Sequence, residues 1–206
     1  MKIYSEYKSY QEYVDIQTET NKEKIEVVWV MQEEVIQLSN YIVDKYSDEI
    51  HYVMCHGARN GTEVKYFTES LPDNWIVEGN DISDTANAYG LHQWDMQYCY
   101  EGWKQKFTIQ YTNSFDHVYD PRKTLKAFMK QCTDDGSVFI QWTENLNNEP
   151  IASDPLSISL LELSEMCYDY ASKVNLMNPG MNRTVRYKDT NEILRQLKIY
   201  YLELKR

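Results

Sequence analysis

Residues 51–63 read HYVMCHGARNGTE and combine three local signals. The apolar run Tyr52–Cys55 predicts a short strand that ends at the turn Gly57–Gly61, and Thr62 and Glu63 then open a helical pattern. A strand, a glycine turn and a helix N-terminus place several backbone N–H groups around one point, which suits an anionic or strongly polar ligand. Two glycines four residues apart are weak evidence alone, so the following segments decide the interpretation.

Strand and helix signals alternate after this turn. Strands are predicted over 51–56, 75–79, 91–94, 107–112 and 138–142, and helices over 61–71, from Asp84, from Asp120–Pro121 and over 158–174. Two further strands are predicted near 184–188 and 198–204. Because such alternation is typical of βαβ units, the sequence predicts an α/β fold with a mostly parallel sheet and helices on both faces.

The N-terminal region is polar and tyrosine-rich up to about residue 20, with no clear period. Thr20 and Glu23 resemble a capping box, and apolar residues at three- and four-residue steps from Val28 to Tyr46 predict a helix after it. We expect this helix to cover the core; a lid over the ligand is the alternative, because the helix leads into the glycine turn. We expect a single domain over 1–206, with a helical cap over 1–50 and the core over 51–206.

Composition narrows the class of protein. A length of 206 residues suits one α/β domain, and a net charge of −11 makes nucleic acid an unlikely substrate. The four cysteines are dispersed without a C-x-x-C pair, which favours reduced thiols and a cytoplasmic location. No apolar stretch reaches the length of a membrane span. We therefore expect a small-molecule ligand and no membrane contact, and the sequence leaves the oligomeric state open.

Four motifs between residues 51 and 142 resemble those of the class I S-adenosylmethionine-dependent methyltransferases. They are Gly57-Ala58-Arg59-Asn60-Gly61, Gly79-Asn80-Asp81-Ile82-Ser83, Gln93-Trp94-Asp95 and the run FTIQYTNSFDHVYDPRKTLKAFMKQCTDDGSVFI over 107–140. The resemblance implies a Rossmann-like, mostly parallel seven-stranded sheet with an N-terminal helical cap. It also implies S-adenosylmethionine as cofactor and methyl transfer to a small molecule.

The resemblance also implies a set of cofactor-binding residues. They are His56, Gly57, Arg59, Gly61, Asp81, Ile82, Asp95 and Asn113. The position of Asp81 at the end of the second predicted strand independently suits an acid that accepts hydrogen bonds from ribose hydroxyls. A helix cap is the alternative role for Asp81. For Asp95 the alternatives are a contact to the adenine edge and a turn cap.

The turn after the 107–112 strand holds the candidate catalytic residues. His117 can accept a proton near neutral pH, and Asp116 beside it can orient the imidazole. A hydrogen bond that fixes the turn is the alternative role for His117. Four aromatic residues are expected near the acceptor cavity: Trp94, Trp103, Trp142 and Tyr119. No metal site is predicted.

Two departures from the family pattern affect the functional prediction. Cys55 stands where the family has an acid, so a contact near the methionyl amine is absent at that position. Arg59 replaces the middle glycine, where it can pair with the carboxylate of the methionine moiety or form a surface salt bridge. A non-catalytic protein that binds S-adenosylmethionine or a nucleotide is therefore the alternative. A nicotinamide-dependent oxidoreductase is disfavoured, because the G-x-G-x-x-G spacing is absent.

Overall fold

The computed structural model describes residues 1–46, 49–143, 149–180, 182–186 and 194–206. The helices in this part of the chain are α1 (Tyr10–Glu23), α2 (Gln32–Val43), α3 (Thr62–Ser70), α4 (Pro121–Gln131) and α5 (Leu160–Cys167). The strands are β1 (Lys2–Ile3), β2 (His51–His56), β3 (Trp75–Asp81), β4 (His92–Gln93), β5 (Phe107–Thr112), β6 (Cys132–Thr143), β7 (Leu156–Ser157), β8 (Lys173–Met177), β9 (Asn182–Arg186) and β10 (Leu194–Lys205).

The central sheet has the strand order β4-β3-β2-β5-β6-β10-β8 in the described residues. The first five strands are parallel, and β10 runs antiparallel to both of its neighbours. Strand β9 pairs with the first half of β10, and β1 pairs with β7 in a separate two-stranded sheet. The predicted mostly parallel seven-stranded sheet is therefore confirmed.

Helices cover both faces of this sheet. On one face, α2 and α3 contribute Val35, Leu38 and Phe67 to a core of buried side chains. On the other face, α4 and α5 contribute Leu125 and Leu163 to a second core. All six residues of β5 are buried, as expected for a central strand of a parallel sheet that is covered on both sides.

The switch point of the sheet lies at β2. Chain order moves outward from β2 through β3 to β4 on one side and through β5 to β6 on the other. In such open sheets the ligand crevice lies beyond the carboxyl ends of the strands at this point. The turns after β2, β3 and β5, which carry most of the predicted site residues, therefore converge.

The helix predicted between Val28 and Tyr46 forms as α2 and covers the core with Val35, Leu38 and Ile42, but it starts later than predicted, and a helix that was not predicted precedes it. Helix α1 forms over Tyr10–Glu23, where the sequence showed no period, and α2 begins only at Gln32. The functional cap of α1 is Ser9, whose Oγ accepts the N–H of Glu12 at 3.1 Å, so Thr20 and Glu23 lie in the last turn rather than the first. Helix α1 buries Tyr13 and Gln17 rather than an aliphatic stripe, which explains why an apolar-period search misses it.

The C-terminal third also differs from the prediction. The helix predicted over 158–174 forms as α5 and ends at Cys167. Strand β8 begins at Lys173, which is still inside the range predicted to be helical. Strand β6 starts at Cys132, because 133–136 form a bulge opposite Thr108 instead of ending a helix with a simple turn. The strand predicted at 198–204 lies within β10. The strand predicted at 184–188 overlaps β9, and residues 187–188 lie outside the described residues.

Candidate functional site

The glycine turn after β2 packs directly against the turn after β5. Gly57 and Gly61 have φ values of +67° and +75°, and Arg59 has a φ of +42°. A Cβ atom at Gly57 would lie 2.9 Å from the Cβ of Ser114. Since a side chain has neither the space nor the backbone freedom here, glycine is required for the approach of the two turns.

Asp81 lies at the end of β3 and is 3% exposed. Its Oδ2 accepts the N–H of Arg59 at 2.9 Å, and its Oδ1 accepts the N–H of Ser83 at 2.9 Å and the side-chain amide of Asn21 at 2.6 Å. Burial raises the pKa of the Asp81 carboxyl, and the N–H groups of Ser83 and Arg59 oppose that effect. The carboxylate therefore connects the glycine turn, the end of β3 and helix α1.

Asp95 lies in the segment after β4 and is also buried. Its Oδ1 accepts the N–H of Gln97 at 2.9 Å, which is the turn-capping role, and its Oδ2 accepts the hydroxyl of Tyr10 at 3.0 Å. Burial raises the pKa of the Asp95 carboxyl. Burial, followed by the nearby Asp95 charge, raises the pKa of Tyr10, so this hydroxyl is a neutral donor at physiological pH.

Helix α1 covers the crevice with one face. The covering side chains follow steps of three and four residues: Tyr10, Tyr13, Gln17 and Asn21. Each of them donates a hydrogen bond to a group at the carboxyl end of the sheet or in the neighbouring loops. Tyr13 donates its hydroxyl to the carbonyl of His117 at 3.1 Å, and Gln17 donates its amide to the carbonyl of Ser153 at 3.1 Å.

The cavity left beneath α1 has a volume of about 30 Å³. Its walls include Gly57, Asp81, Ile82, Asp95, Ser114 and His117. This space holds a few water molecules, whereas sites for nucleotide-sized ligands start at ~300 Å³. In this structure the space is therefore too small for such a ligand, and we expect α1 to move when one enters.

The structure brings the predicted pair Asp116 and His117 together with Asp154, which was not predicted. The Nδ1 atom of His117 lies 2.9 Å from the carbonyl oxygen of Ser153 and 3.2 Å from Oε1 of Gln17. Its Nε2 atom lies 3.5 Å from Oδ1 of Asp154 and 3.9 Å from Oδ1 of Asp116. One imidazole nitrogen therefore faces two carboxylates beside the cavity.

Two predicted cofactor residues, His56 and Arg59, differ in where the structure places them. His56 is 2% exposed and stacks on Phe128 at 4.3 Å, while its ring nitrogens lie within hydrogen-bond distance of Asn80 and Gln110. The structure thus places this side chain in the core rather than at the cavity. The guanidinium of Arg59 donates to the carbonyl of Val27 at 3.2 Å, and among the described residues it does not form the alternative surface salt bridge.

Asn113 connects the turn after β5 to a residue that the sequence did not identify. Its side-chain amide donates to Oε1 of Glu63 at 2.9 Å. Glu63 lies in the first turn of α3 and is 7% exposed. Burial raises the pKa of the Glu63 carboxyl. Burial also raises the pKa of the Cys55 thiol, and the negative charge of Glu63 raises it further. Cys55 is therefore a neutral thiol beside a buried acid.

The four expected aromatic residues separate in the structure. Trp94 lines the cavity, and Tyr119 packs edge-on against Tyr13 of α1 at 4.7 Å. Trp103 lies in a separate small core with Met54 and Phe107. The indole N–H of Trp142 donates to the carbonyl of Ile158. Trp94 and Tyr119 thus lie at or near the site, while Trp103 is structural.

No helix in the described part of the chain is both long enough and apolar enough to cross a membrane.

No protein-family model matches this chain, and no curated protein matches it in sequence. Solved structures do match its fold. The 1,6-didemethyltoxoflavin-N1-methyltransferase of Burkholderia thailandensis, crystallised with its substrate and S-adenosylhomocysteine, aligns with a TM-score of 0.66 at 12% identity, covering 100% of this chain and 94% of that one.

Two further neighbours show how broadly the fold is used. Phosphoethanolamine N-methyltransferase 2 of Haemonchus contortus aligns with a TM-score of 0.60 at 13% identity, covering 85% of this chain and 47% of that one. The [4+2]-cyclase SpnF aligns with a TM-score of 0.56 at 9% identity, covering 69% and 59%. Together with the strand order and the position of the crevice, these alignments show that the chain has the fold of the class I S-adenosylmethionine-dependent methyltransferases.

Proposed function

We propose that this protein is an S-adenosylmethionine-dependent methyltransferase that acts on a small molecule. The observation that carries the proposal is the buried Asp81 carboxylate at the end of β3, joined by the N–H of Arg59 to the glycine turn. A carboxylate can accept hydrogen bonds from two vicinal hydroxyls, and the adjacent turn allows a ligand close to the backbone. When bound, the cofactor supplies an electrophilic methyl group for in-line transfer to the acceptor.

The chain offers further groups for the cofactor. Asp95 lies in the cavity wall on the side of Asp81 away from the β5 turn, in position for the base end of a nucleoside. At the other end, Glu63 supplies the carboxylate that Cys55 lacks, since the two side chains are close enough for the acid to raise the pKa of the thiol. We propose that Glu63, held by Asn113, binds the amine of the methionine moiety. The acid is thus moved from the strand to the first turn of α3.

His117 and Asp116 are the proposed catalytic residues. Because Nδ1 of His117 faces two oxygen acceptors, it carries the proton in the neutral ring, and Nε2 then has a lone pair for the proton of an acceptor hydroxyl. The carboxylates of Asp116 and Asp154 stabilise the imidazolium that results. When α1 is closed, its tyrosine and amide side chains exclude water from this reaction.

A small-molecule acceptor and a cytoplasmic location form part of the same proposal. The neighbour from Burkholderia thailandensis acts on 1,6-didemethyltoxoflavin, and the charge of −11 opposes binding to a phosphate backbone. The four cysteines are free, which suits a reducing compartment. Contacts from α1 to the ends of the strands support the proposal that 1–206 acts as one domain.

Calorimetric titration with S-adenosylmethionine and S-adenosylhomocysteine tests the cofactor site. We expect binding by the native chain and loss of binding in Asp81→Ala. The matched control is Asp84→Ala, three residues further along the chain than Asp81. It removes an exposed carboxylate that pairs with Lys22. Absence of binding of either ligand to the folded native protein, or equal binding by both variants, contradicts the proposal.

A non-catalytic binding protein is the second candidate, and the replacement of the family acid by Cys55 favours it. The cyclase among the structural neighbours also illustrates that this fold does not fix a reaction. Consumption of S-adenosylmethionine in the presence of mixed phenols, amines and heterocycles separates the candidates. Cofactor binding without acceptor-dependent turnover supports the binding protein.

A further inference from the structure

Asp116, His117 and Asp154 direct three electron-donating atoms towards one point. The Nε2 atom of His117 and one oxygen of each carboxylate lie within 4.8 Å of one another. Metal–ligand bonds of ~2.0–2.2 Å place adjacent ligand atoms roughly 3–3.5 Å apart. The separations of 3.5 and 3.9 Å from Nε2 are within about 1 Å of that spacing, and the two carboxylate oxygens lie within 4.8 Å of each other.

Groups outside this cluster hold the imidazole in the form that binds a metal. The Gln17 amide nitrogen donates to the carbonyls of Ala152 and Ser153, so its Oε1 is the atom that faces the histidine. Nδ1 of His117 therefore lies between two acceptors, so in the neutral ring it carries the proton and Nε2 carries the lone pair. Donation of the second ring N–H to a carbonyl is the arrangement found in most metal-binding histidines.

The positive charge nearest to this point does not pair with either carboxylate. In the described part of the chain, neither Asp116 nor Asp154 forms an ion pair with a lysine or arginine. The charge of Lys24 acts on Asp116 from nearby, and the hydroxyl of Ser153 donates to Oδ2 of Asp154 at 3.2 Å. The side chains of Asp116 and Asp154 are 34% and 17% exposed, so water screens the two negative charges incompletely. A divalent cation would neutralise the pair and convert three mutually repelling acceptors into ligands.

We infer that Asp116, His117 and Asp154 form a binding site for a divalent first-row cation of the Mn²⁺ or Zn²⁺ type. One imidazole nitrogen and two carboxylate oxygens form a donor set of intermediate softness. Such a mixed set suits these ions better than a set of oxygen ligands alone. Three protein ligands leave coordination positions open, and His117 lines the cavity beneath α1. A cation held by this cluster would therefore lie beside that cavity.

The catalytic use of this cation rests on the proposed methyltransferase function, whereas the binding site does not. A cation at this point binds an acceptor oxygen and lowers the pKa of its hydroxyl, so the proton can leave to water. While the cation is bound, Nε2 is a ligand and does not act as the base. The two roles of His117 therefore give different responses to chelation.

The first experiment measures Mn²⁺ binding to the full chain by electron paramagnetic resonance, after chelator treatment and without cofactor or acceptor. We expect one saturable Mn²⁺ per chain, displaced by Zn²⁺. Asp154→Asn and His117→Gln should each weaken binding at least ~10-fold. The control Asp169→Asn, which alters an exposed carboxylate paired with Arg122, should leave binding unchanged.

A further variant separates a built site from nonspecific attraction to carboxylates. Gln17→Leu removes no ligand but releases Nδ1 of His117, and we expect affinity to fall ~10–100-fold. Circular dichroism establishes that each variant is folded, and Asp116→Asn replaces any variant that is not. No saturable Mn²⁺ or Zn²⁺ binding, or binding that survives all ligand substitutions, overturns the site. Because the assay contains no S-adenosylmethionine, failure of the proposed function would not alter this result.

Discussion

The contact between Asn21 and Asp81 gives a direct test of whether α1 moves when a ligand enters. The amide of Asn21 lies 2.6 Å from the carboxylate that we assign to the cofactor ribose, so the helix and the cofactor compete for the same acceptor. We therefore predict that Asn21→Ala tightens the apparent binding of S-adenosylhomocysteine. The opposite result is expected if Asn21 contacts the ligand.

The size of the effect follows from the bond that is removed. A hydrogen bond to a charged group contributes about 1.5–3 kcal/mol, and 1.4 kcal/mol corresponds to about tenfold in an equilibrium constant. If the form with α1 over the site predominates, the apparent dissociation constant scales inversely with the open fraction. Asn21→Ala should therefore lower this constant by about 10–150-fold. Tyr10, Tyr13 and Gln17 still hold α1 after the substitution, so the helix remains folded against the core.

Calorimetry with S-adenosylhomocysteine on native protein, Asn21→Ala and Lys22→Ala measures this effect. Lys22 is the next residue on α1, and its ion pair with Asp84 is exposed and contributes ~0–1 kcal/mol. Its removal should change binding less than about fivefold. Weaker binding by Asn21→Ala refutes the competition, and an unchanged constant shows that the Asn21 contact does not limit opening.

Three further predictions concern His56 in the core, Gly57 in the glycine turn and the buried acid Glu63. Burial lowers the pKa of His56 to about 4 from its ordinary 6.5, so the unfolded chain takes up the proton first as pH falls. The stability contributed by neutral His56 is complete above about pH 6.5 and decreases by about 3 kcal/mol towards pH 4. Urea unfolding at several pH values measures this effect. The decrease in the free energy of unfolding that His56 causes as pH falls should appear in the native protein and be absent from His56→Gln. Gly57→Ala should destabilise the fold by at least ~1 kcal/mol and abolish cofactor binding, because the φ of Gly57 is +67° and Ser114 fills the space that a Cβ atom would need. Gly90 has a similar φ but open space around it, so Gly90→Ala measures the cost of the backbone conformation alone. Glu63→Gln should weaken the binding of S-adenosylhomocysteine at least ~10-fold in calorimetry, whereas Cys55→Ser should not. Equal losses of affinity in the two variants would contradict the role given to Glu63.

The sequence predicted the parts of the fold whose signals are local. Strand β2, the glycine turn and the end of β3 follow from an apolar run, from residues that need positive φ and from an acid at a strand end. Helix α1 was missed because its inner face carries tyrosine and amide groups, although Tyr10, Tyr13, Gln17 and Asn21 have helical spacing. Such a face indicates a helix that covers a polar site instead of a hydrophobic core.

The partners of the site residues were harder to predict, because they depend on folding across the chain. Asp154 meets His117 only when the segment after β6 returns to the turn after β5, and no local pattern connects the two. Glu63 resembles an ordinary acid in the first turn of a helix. Its function becomes visible from burial and from the amide of Asn113, both of which are tertiary properties.

Arg59 departs from the glycine of the family motif, and its backbone and side chain make separate contacts. Its backbone adopts a φ of +42°, and its N–H donates to Asp81, so the turn keeps the geometry that a glycine would give. The side chain that glycine lacks reaches the carbonyl of Val27 in the connection between α1 and α2. One residue thus joins Asp81 to the segment between α1 and α2. If α1 opens when a ligand enters, we expect Arg59 to couple that entry to the covering helix, because the turn contacts both Asp81 and this segment.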